Sequence, residues 1–127
     1  FLGAVVANLM FGVYAVAAGT VQRLTTQTFV GEIVATAGLL LIVLLLVDQE
    51  KLSLIAPSIA AWVAAGHLFT SSTSFANPAV TFGRAFTDAV TGINFASVPG
   101  FVIGQLIGAG VALTLFYFLS TKKEQNV

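Results

Sequence analysis

Long apolar stretches limit what this chain can fold into more than any other feature of its sequence. There are four of them, at residues 1–18, 28–47, 52–69 and 98–119, and Glu32 is the one charged side chain that they contain. A helix needs about 20 apolar residues to cross roughly 30 Å of hydrocarbon. The sequence therefore predicts an all-α membrane protein with four membrane helices at these positions.

The composition narrows the function classes further. Hydrophobic residues make up 57% of the chain and charged residues only 8%, with a mean hydropathy of +1.00, whereas soluble domains carry about a quarter charged residues. Five basic residues balance five acidic ones, so there is no basic field and we expect no nucleic-acid partner. With no cysteine and a single histidine, His67, we expect neither a metal centre nor a cofactor.

The beginning of the chain carries no recognisable start signal. Phe1-Leu2-Gly3 has no initiator methionine and no basic leader segment, as a signal peptide would require. We therefore interpret the chain as a truncation that begins inside a helix.

The segment between the third and fourth apolar stretches fits neither a membrane helix nor a solvated loop. It opens with the hydroxyl-rich run Thr70–Ser74 and leads to Asn77-Pro78, a favoured N-cap residue followed by the residue best suited to the first helical position. Irregular backbone at membrane depth is tolerated only where protein or a water-filled cavity satisfies it. The pattern predicts a re-entrant loop and half-helix over residues 70–90.

The residues around Asn77 resemble a known pore motif. The run Ser74-Phe75-Ala76-Asn77-Pro78-Ala79 is similar to the second pore loop of the aquaporin (major intrinsic protein) family, whose hallmark is Asn-Pro-Ala at the tip of a re-entrant half-helix. Glu32 also resembles a buried glutamate of that family. The beginning of the first apolar stretch, Phe1-Leu2-Gly3-Ala4, also resembles this family. The beginning of the last stretch, Ser97-Val98-Pro99-Gly100, does too.

This resemblance covers essentially the whole chain and carries expectations about its fold and partners. It implies the C-terminal half of an inverted-repeat helix bundle, which would pair with a missing N-terminal half that has its own Asn-Pro-Ala loop. It also implies a homotetramer of complete chains in a lipid bilayer. The hydroxyls of Ser71–Ser74 and the run Phe82-Gly83-Arg84 resemble a bacterial branch associated with arsenic resistance.

The resemblance assigns pore roles to the motif and to Glu32. Asn77 would donate its side-chain amide to a passing solute, while the positive end of the helix dipole at Asn77-Pro78-Ala79 would repel cations. The carbonyls of residues 71–76 would line the path, and their hydroxyls would either help or bond to the local backbone. Glu32 would brace the loop by accepting amide hydrogens, with a proton relay as the competing interpretation.

A selectivity filter would use residues from three places. Most aquaporins place an arginine where this chain has Val80. A family histidine lies about twelve residues before the motif, a position that here falls on Ala65, and His67 lies about 200° farther round the helix. We therefore expect Ala65, Ser74 and Val80 to line an uncharged constriction, with His67 facing elsewhere unless the loop is two residues shorter than usual.

Arg84 is a candidate for the missing filter charge. It follows Val80 by four residues, so both lie on one face of the half-helix, about 6 Å apart along its axis. Arg84 would then sit in the mouth of the pore and attract oxygen-rich neutral solutes. The alternative is that Arg84 pairs with Asp88 or extends to lipid head groups.

Together these features predict a passive channel for water, glycerol-like polyols or arsenous acid that excludes ions. A secondary transporter with a discontinuous-helix site is the alternative, although it would be expected to hold more intramembrane charges than Glu32 alone. No constellation for an enzyme is visible. Lys51, Lys122 and Lys123 fall on one side and Arg23 on the other, which predicts a protein of the cell (inner) membrane with a cytoplasmic C-terminus.

Overall fold

The structure is a computed structural model that describes residues 1–14 and 16–124, with the side chains of 121–124 outside the description. Every regular element in these residues is helical. The helices are α1 (Leu2–Met10), α2 (Thr26–Asp48), α3 (Ile55–Phe69), α4 (Pro78–Arg84) and α5 (Val98–Glu124), with single 3-10 turns at Leu52–Leu54 and Phe95–Ser97. The chain is an all-α membrane protein, and in its described part the spans Thr26–Asp48, Leu52–Phe69 and Phe95–Ser120 are long and apolar enough to cross a membrane.

The first apolar stretch differs from the prediction, because α1 ends at Met10 and not at residue 18. Gly12 follows with φ +68°, a left-handed conformation that glycine adopts at little cost and that breaks the helix. Beyond it, the amides of Ala17 and Gly19 donate to the carbonyls of Phe86 and Ala85, at 3.3 and 3.0 Å. Backbone partners from another part of the chain thus replace the helical ones.

Helix α2 is the centre of the bundle and packs chiefly against α5. A Cβ built on Gly108 would lie 2.6 Å from the carbonyl oxygen of Ile33, so only a glycine lets the two backbones come this close. On another side of α2, the Trp62 ring of α3 covers Gly38 and its Nε1 donates to the carbonyl of Ala35 at 2.9 Å. Gly108 on α5 and Gly38 on α2 therefore serve the close packing of these helices.

The half-helix α4 is also shorter than predicted. It ends at Arg84 instead of near residue 90, and the chain turns back so that the amide of Ile93 donates to the carbonyl of Arg84 at 3.2 Å. Ala85 and Ile93 are fully buried, and they join Phe75 and Phe101 in a small hydrophobic core under the turn. Burying the apolar side chains of this turn stabilises the chain more than extending the helix would.

A segment that we call the strap, residues 16–25, crosses the turn formed by residues 85–94. Arg23 donates from Nε to the carbonyl of Gly92 at 2.7 Å and from Nη2 to the carbonyl of Val90. The side chain and the amide of Thr20 both donate to Asp88, at 2.7 and 2.8 Å. These bonds tie the end of α4 to the connection between α1 and α2, which fixes the position of the half-helix.

Candidate functional site

The loop that enters α4 has a strained backbone. Thr73, Ser74 and Ala76 have positive φ angles of 62°, 51° and 48°, a region that residues other than glycine occupy at a cost of roughly 1–3 kcal/mol each. Such a conformation persists only where the surroundings enforce it. The contacts of Glu32 with the amides of Phe75 and Ala76 hold the end of this loop.

Glu32 is fully buried on α2, and its carboxylate accepts two backbone amides of the loop. Its Oε1 accepts from Phe75 N and its Oε2 from Ala76 N, both at 2.9 Å. Hydrogen bonds to an ionised acceptor are about twice as strong as neutral ones. The carboxylate therefore fixes the two residues that directly precede Asn77.

Asn77 caps α4 with one end of its side chain and leaves the other end exposed. Its Oδ1 accepts from the amides of Ala79 and Val80, at 2.8 and 3.3 Å, and Pro78 occupies the first helical position. No described residue accepts a hydrogen bond from its Nδ2, and the side chain is exposed. The tip of the loop thus presents an unused donor beside a helix N-terminus.

Ser74 lies against α3 at Gly66. A Cβ on Gly66 would be 2.6 Å from Ser74 Oγ, and this hydroxyl is buried without a hydrogen-bond partner among the described residues. Ala65 and His67 flank Gly66 and are both exposed, and His67 Nδ1 lies 2.7 Å from the carbonyl oxygen of Val63. The structure thus brings Ser74 to the α3 turn that carries Ala65 and His67.

Most hydroxyls of the loop bond to nearby groups. Thr70 Oγ1 donates to the carbonyl of Gly66 at 2.6 Å, Ser71 Oγ donates to that of Gln27 at 2.7 Å, and Ser72 Oγ accepts from Ser74 N at 3.3 Å. The local bonding that serine and threonine commonly show accounts for Thr70 and Ser72, whereas Ser71 ties the loop to the start of α2.

A groove of about 470 Å³ runs between α1 and α4. The α1 wall consists of Phe1 and small residues, and the α4 wall includes Val80, whose side chain is 38% exposed. Arg84 supplies the one charged side chain of the lining. The lining residues are Phe1, Gly3, Ala4, Ala7, Ala79, Val80, Gly83, Arg84, Thr87 and Thr91.

Arg84 packs against an aromatic ring in the same region. The centre of its guanidinium is 4.2 Å from the centroid of the Phe75 ring, a cation–π geometry. Its Nη1 is buried without a hydrogen-bond partner in the described part of the chain. Asp88 accepts from Thr20 instead, so the alternative of an Arg84–Asp88 pair does not agree with the described residues.

Two polar residues of the site were not singled out by the sequence, namely Thr81 on α4 and Gln105 on α5. Gln105 is 2% exposed, and its Nε2 donates to Glu32 Oε2 at 2.6 Å and to Thr81 Oγ1 at 2.8 Å. The available signal was a glutamine in the middle of the last apolar stretch, where a polar side chain needs a partner.

The fold and site define an all-α membrane protein in which the loop residue Asn77 caps a short half-helix. Aquaglyceroporin AqpS of Rhizobium meliloti (strain 1021) is 50% identical over 58 residues, which cover 46% of this chain and 25% of that protein. This match supports membership of the aquaporin, or major intrinsic protein, family on partial coverage of the chain. No profile of a known protein family matches the chain. No solved structure matches it either.

Proposed function

We propose that this chain forms one half of a passive transmembrane channel for small uncharged solutes. The proposal rests on the Asn77 side chain, because its oxygen and its nitrogen have different roles. Its Oδ1 is used by the cap of α4, whereas the residue is exposed and no described residue accepts from its Nδ2. An oxygen atom of a neutral solute can accept a hydrogen bond from this nitrogen. The solute then needs neither a covalent bond nor an ion pair to bind here.

The same position opposes the passage of cations. The N-terminus of α4 lies at Pro78 and Ala79, and the N-terminus of a helix carries a partial positive charge. Helix ends of this kind reject protons and cations in aquaporin-type pores. α4 has only seven residues, so the exclusion depends on a second half-helix from an inverted half that completes the pore.

The kind of solute that we propose follows from the uncharged residues of the proposed selectivity filter. Ala65, Ser74 and Val80 provide no charge at the constriction, and a wide, weakly polar filter favours glycerol-like polyols or arsenous acid alongside water. The groove beside Val80 is lined mainly by small and apolar side chains. The name of the relative, an aquaglyceroporin, supports a polyol as the first solute to test. Arg84 would act at the mouth of this path.

A coupled transporter is the weaker candidate, because the carboxylate of Glu32 already accepts three hydrogen bonds within the chain. Both oxygens of the carboxylate already hold the site together, because they accept two loop amides and the Gln105 amide. The chain therefore fits a channel better than a transporter or an enzyme.

The proposed setting is the cell (inner) membrane, with the C-terminus in the cytoplasm and four complete chains in a homotetramer. Arg23 and Lys51 lie on opposite sides of the membrane in this topology, and both are among the residues that the structure describes. The side chains of Lys122 and Lys123 lie outside the described residues. By the complete channel we mean this chain together with the inverted half that we propose precedes it.

Asn77→Asp in the complete channel tests the proposal. The variant keeps the Oδ1 cap but loses the Nδ2 donor and adds a negative charge, so glycerol flux into vesicles should fall about tenfold and cations should leak. Asn94→Asp is the matched control, because Asn94 caps the 3-10 turn Phe95–Ser97 by accepting from Ser97 N at 3.0 Å. Equal glycerol flux in both variants and the parent would contradict a role for Asn77 in the path.

A further inference from the structure

Gln105 lies where three elements of the site meet. It is on α5 and almost fully buried, and its side chain reaches Glu32 on α2 and Thr81 on α4. An amide nitrogen carries two hydrogens, and here each has its own acceptor, at 2.6 and 2.8 Å. The donor capacity of Gln105 is fully used inside the site.

The hydrogen bond from Gln105 to Thr81 determines where the Thr81 hydroxyl donates its own hydrogen. Since Thr81 Oγ1 accepts from Gln105, its own hydrogen is left for the carbonyl of Asn77, at 3.0 Å. The backbone amide of Thr81 donates to the same carbonyl, also at 3.0 Å. The carbonyl of Asn77 is thereby held by two donors from one residue.

The bond to Glu32 acts on the other side of Asn77. Glu32 fixes Phe75 and Ala76 through their amides, and Gln105 is a third donor to that carboxylate. One side-chain amide therefore connects the group that holds the loop before Asn77 to the group that holds the helix after it. Chains of hydrogen bonds of this kind strengthen one another in a buried setting.

The remaining atom of the amide shows that this arrangement has a cost for stability. Gln105 Oε1 is buried and has no hydrogen-bond partner among the described residues, and a buried acceptor without a partner is destabilising. Rotating the amide by 180° would bring this oxygen against the Glu32 carboxylate, so Glu32 fixes the orientation. An apolar residue of similar size would avoid this cost but would also remove the donors to Glu32 and Thr81, so these two hydrogen bonds are what the glutamine provides.

Building on the proposed function, we infer that Gln105 is a positioning residue that sets the place of the Asn77 donor and so the rate at which neutral solutes pass. Its effect passes through Glu32 to the loop and through Thr81 to the half-helix. Gln105 itself has no contact with the solute, because its side chain is buried.

The transport test uses Gln105→Leu and Thr81→Val in the complete channel. Each variant should fold but lose glycerol flux about fivefold, the effect of one hydrogen bond of about 1 kcal/mol. The double variant should lose less flux than the two single losses combined, because both changes break the Gln105–Thr81 hydrogen bond, and Thr81→Ser should keep flux near that of the parent. The matched control is Thr114→Val on α5, where the hydroxyl donates only to the carbonyl of Gly110 at 2.9 Å. Unchanged flux or fully additive losses would overturn the inference.

A second measurement is independent of transport. Amide hydrogen exchange at Phe75 and Ala76 should be about tenfold faster in Gln105→Leu than in the parent and in Thr114→Val, because Glu32 loses its third donor. Equal exchange would overturn the inference even if the parent conducts glycerol. If the parent does not conduct, the proposed function fails, and the exchange rates still decide the role of Gln105.

Discussion

The guanidinium of Arg84 lies over the ring of Phe75, 4.2 Å from its centroid, and Asp88 bonds to Thr20. Phe75 is the residue whose amide bonds to Glu32. A cation is thus attached to the loop that precedes α4, one turn along α4 from Val80. This relationship gives the site an uncharged position at Val80 and a charge farther along the same groove.

Val80→Arg should convert the filter into a narrower one. The substitution places a guanidinium in the groove at the position that most aquaporins fill with arginine, so glycerol flux through the complete channel should fall at least about tenfold while water still passes. Val90→Arg is the control, because Val90 is 90% exposed on the turn after α4. Stopped-flow swelling of vesicles measures both solutes, and glycerol flux equal to the parent would show that Val80 does not line the constriction.

Arg84→Gln should change the selectivity of a folded channel. Glutamine keeps hydrogen-bond donors but removes the charge and the contact with Phe75, which is worth about 0.5–2 kcal/mol. We expect cation leak to rise while neutral solutes still pass, and Arg84→Lys, which keeps the charge, should stay near the parent. Flux assays with glycerol and sodium in the same vesicles make the comparison. If all three proteins have the same selectivity, Arg84 has no role at the mouth.

Much of this site follows from the sequence, because its signals are local. Asn77 and Pro78 are a cap residue and a first-position residue in sequence, and they take these positions in the structure. The three spans follow in the same way from the length of their apolar stretches. Each of these features depends on neighbours within a few residues.

The parts that the sequence did not predict depend on distant partners. Helix α1 ends early because Ala17 and Gly19 bond to residues of the 85–94 turn, and α4 ends early because that turn is buried. The role of Gln105 likewise requires α2 and α4 to be placed beside it. Apolar length and cap signals carry no information about contacts between different elements of the chain.

Close packing of α2 and α5 gives a prediction about stability. In Gly108→Ala the new Cβ would lie 2.6 Å from a backbone oxygen of Ile33, which cannot move away easily, so the free energy of unfolding should fall by about 1–3 kcal/mol. Gly110→Ala meets nothing within 4 Å and should be neutral or stabilising by up to about 1 kcal/mol. Thermal unfolding in detergent compares the two, and equal loss in both variants would contradict the packing.

The strap predicts a pH dependence at Asp88. Hydrogen bonds from the Thr20 side chain and then from its amide lower the pKa of the Asp88 carboxyl below its ordinary value. A lowered pKa contributes stability above the pKa of the unfolded chain, about 3.9, which is lost as pH falls through the folded value. Asp88→Asn should therefore unfold at a lower temperature than the parent at pH 6, and the difference should shrink progressively as pH falls below the pKa of the unfolded chain. A difference that does not change as the pH is lowered would contradict this origin.

The most direct test of the central claim measures solute flux and electrical current on the same preparation of the complete channel. Vesicles that contain the protein should take up glycerol faster than protein-free vesicles, and planar bilayers formed from the same preparation should show no proton or sodium current above background. This result is expected because the Asn77 donor and the N-terminus of α4 favour neutral oxygen-bearing solutes and oppose cations. A proton or sodium conductance comparable to the solute flux would contradict the account.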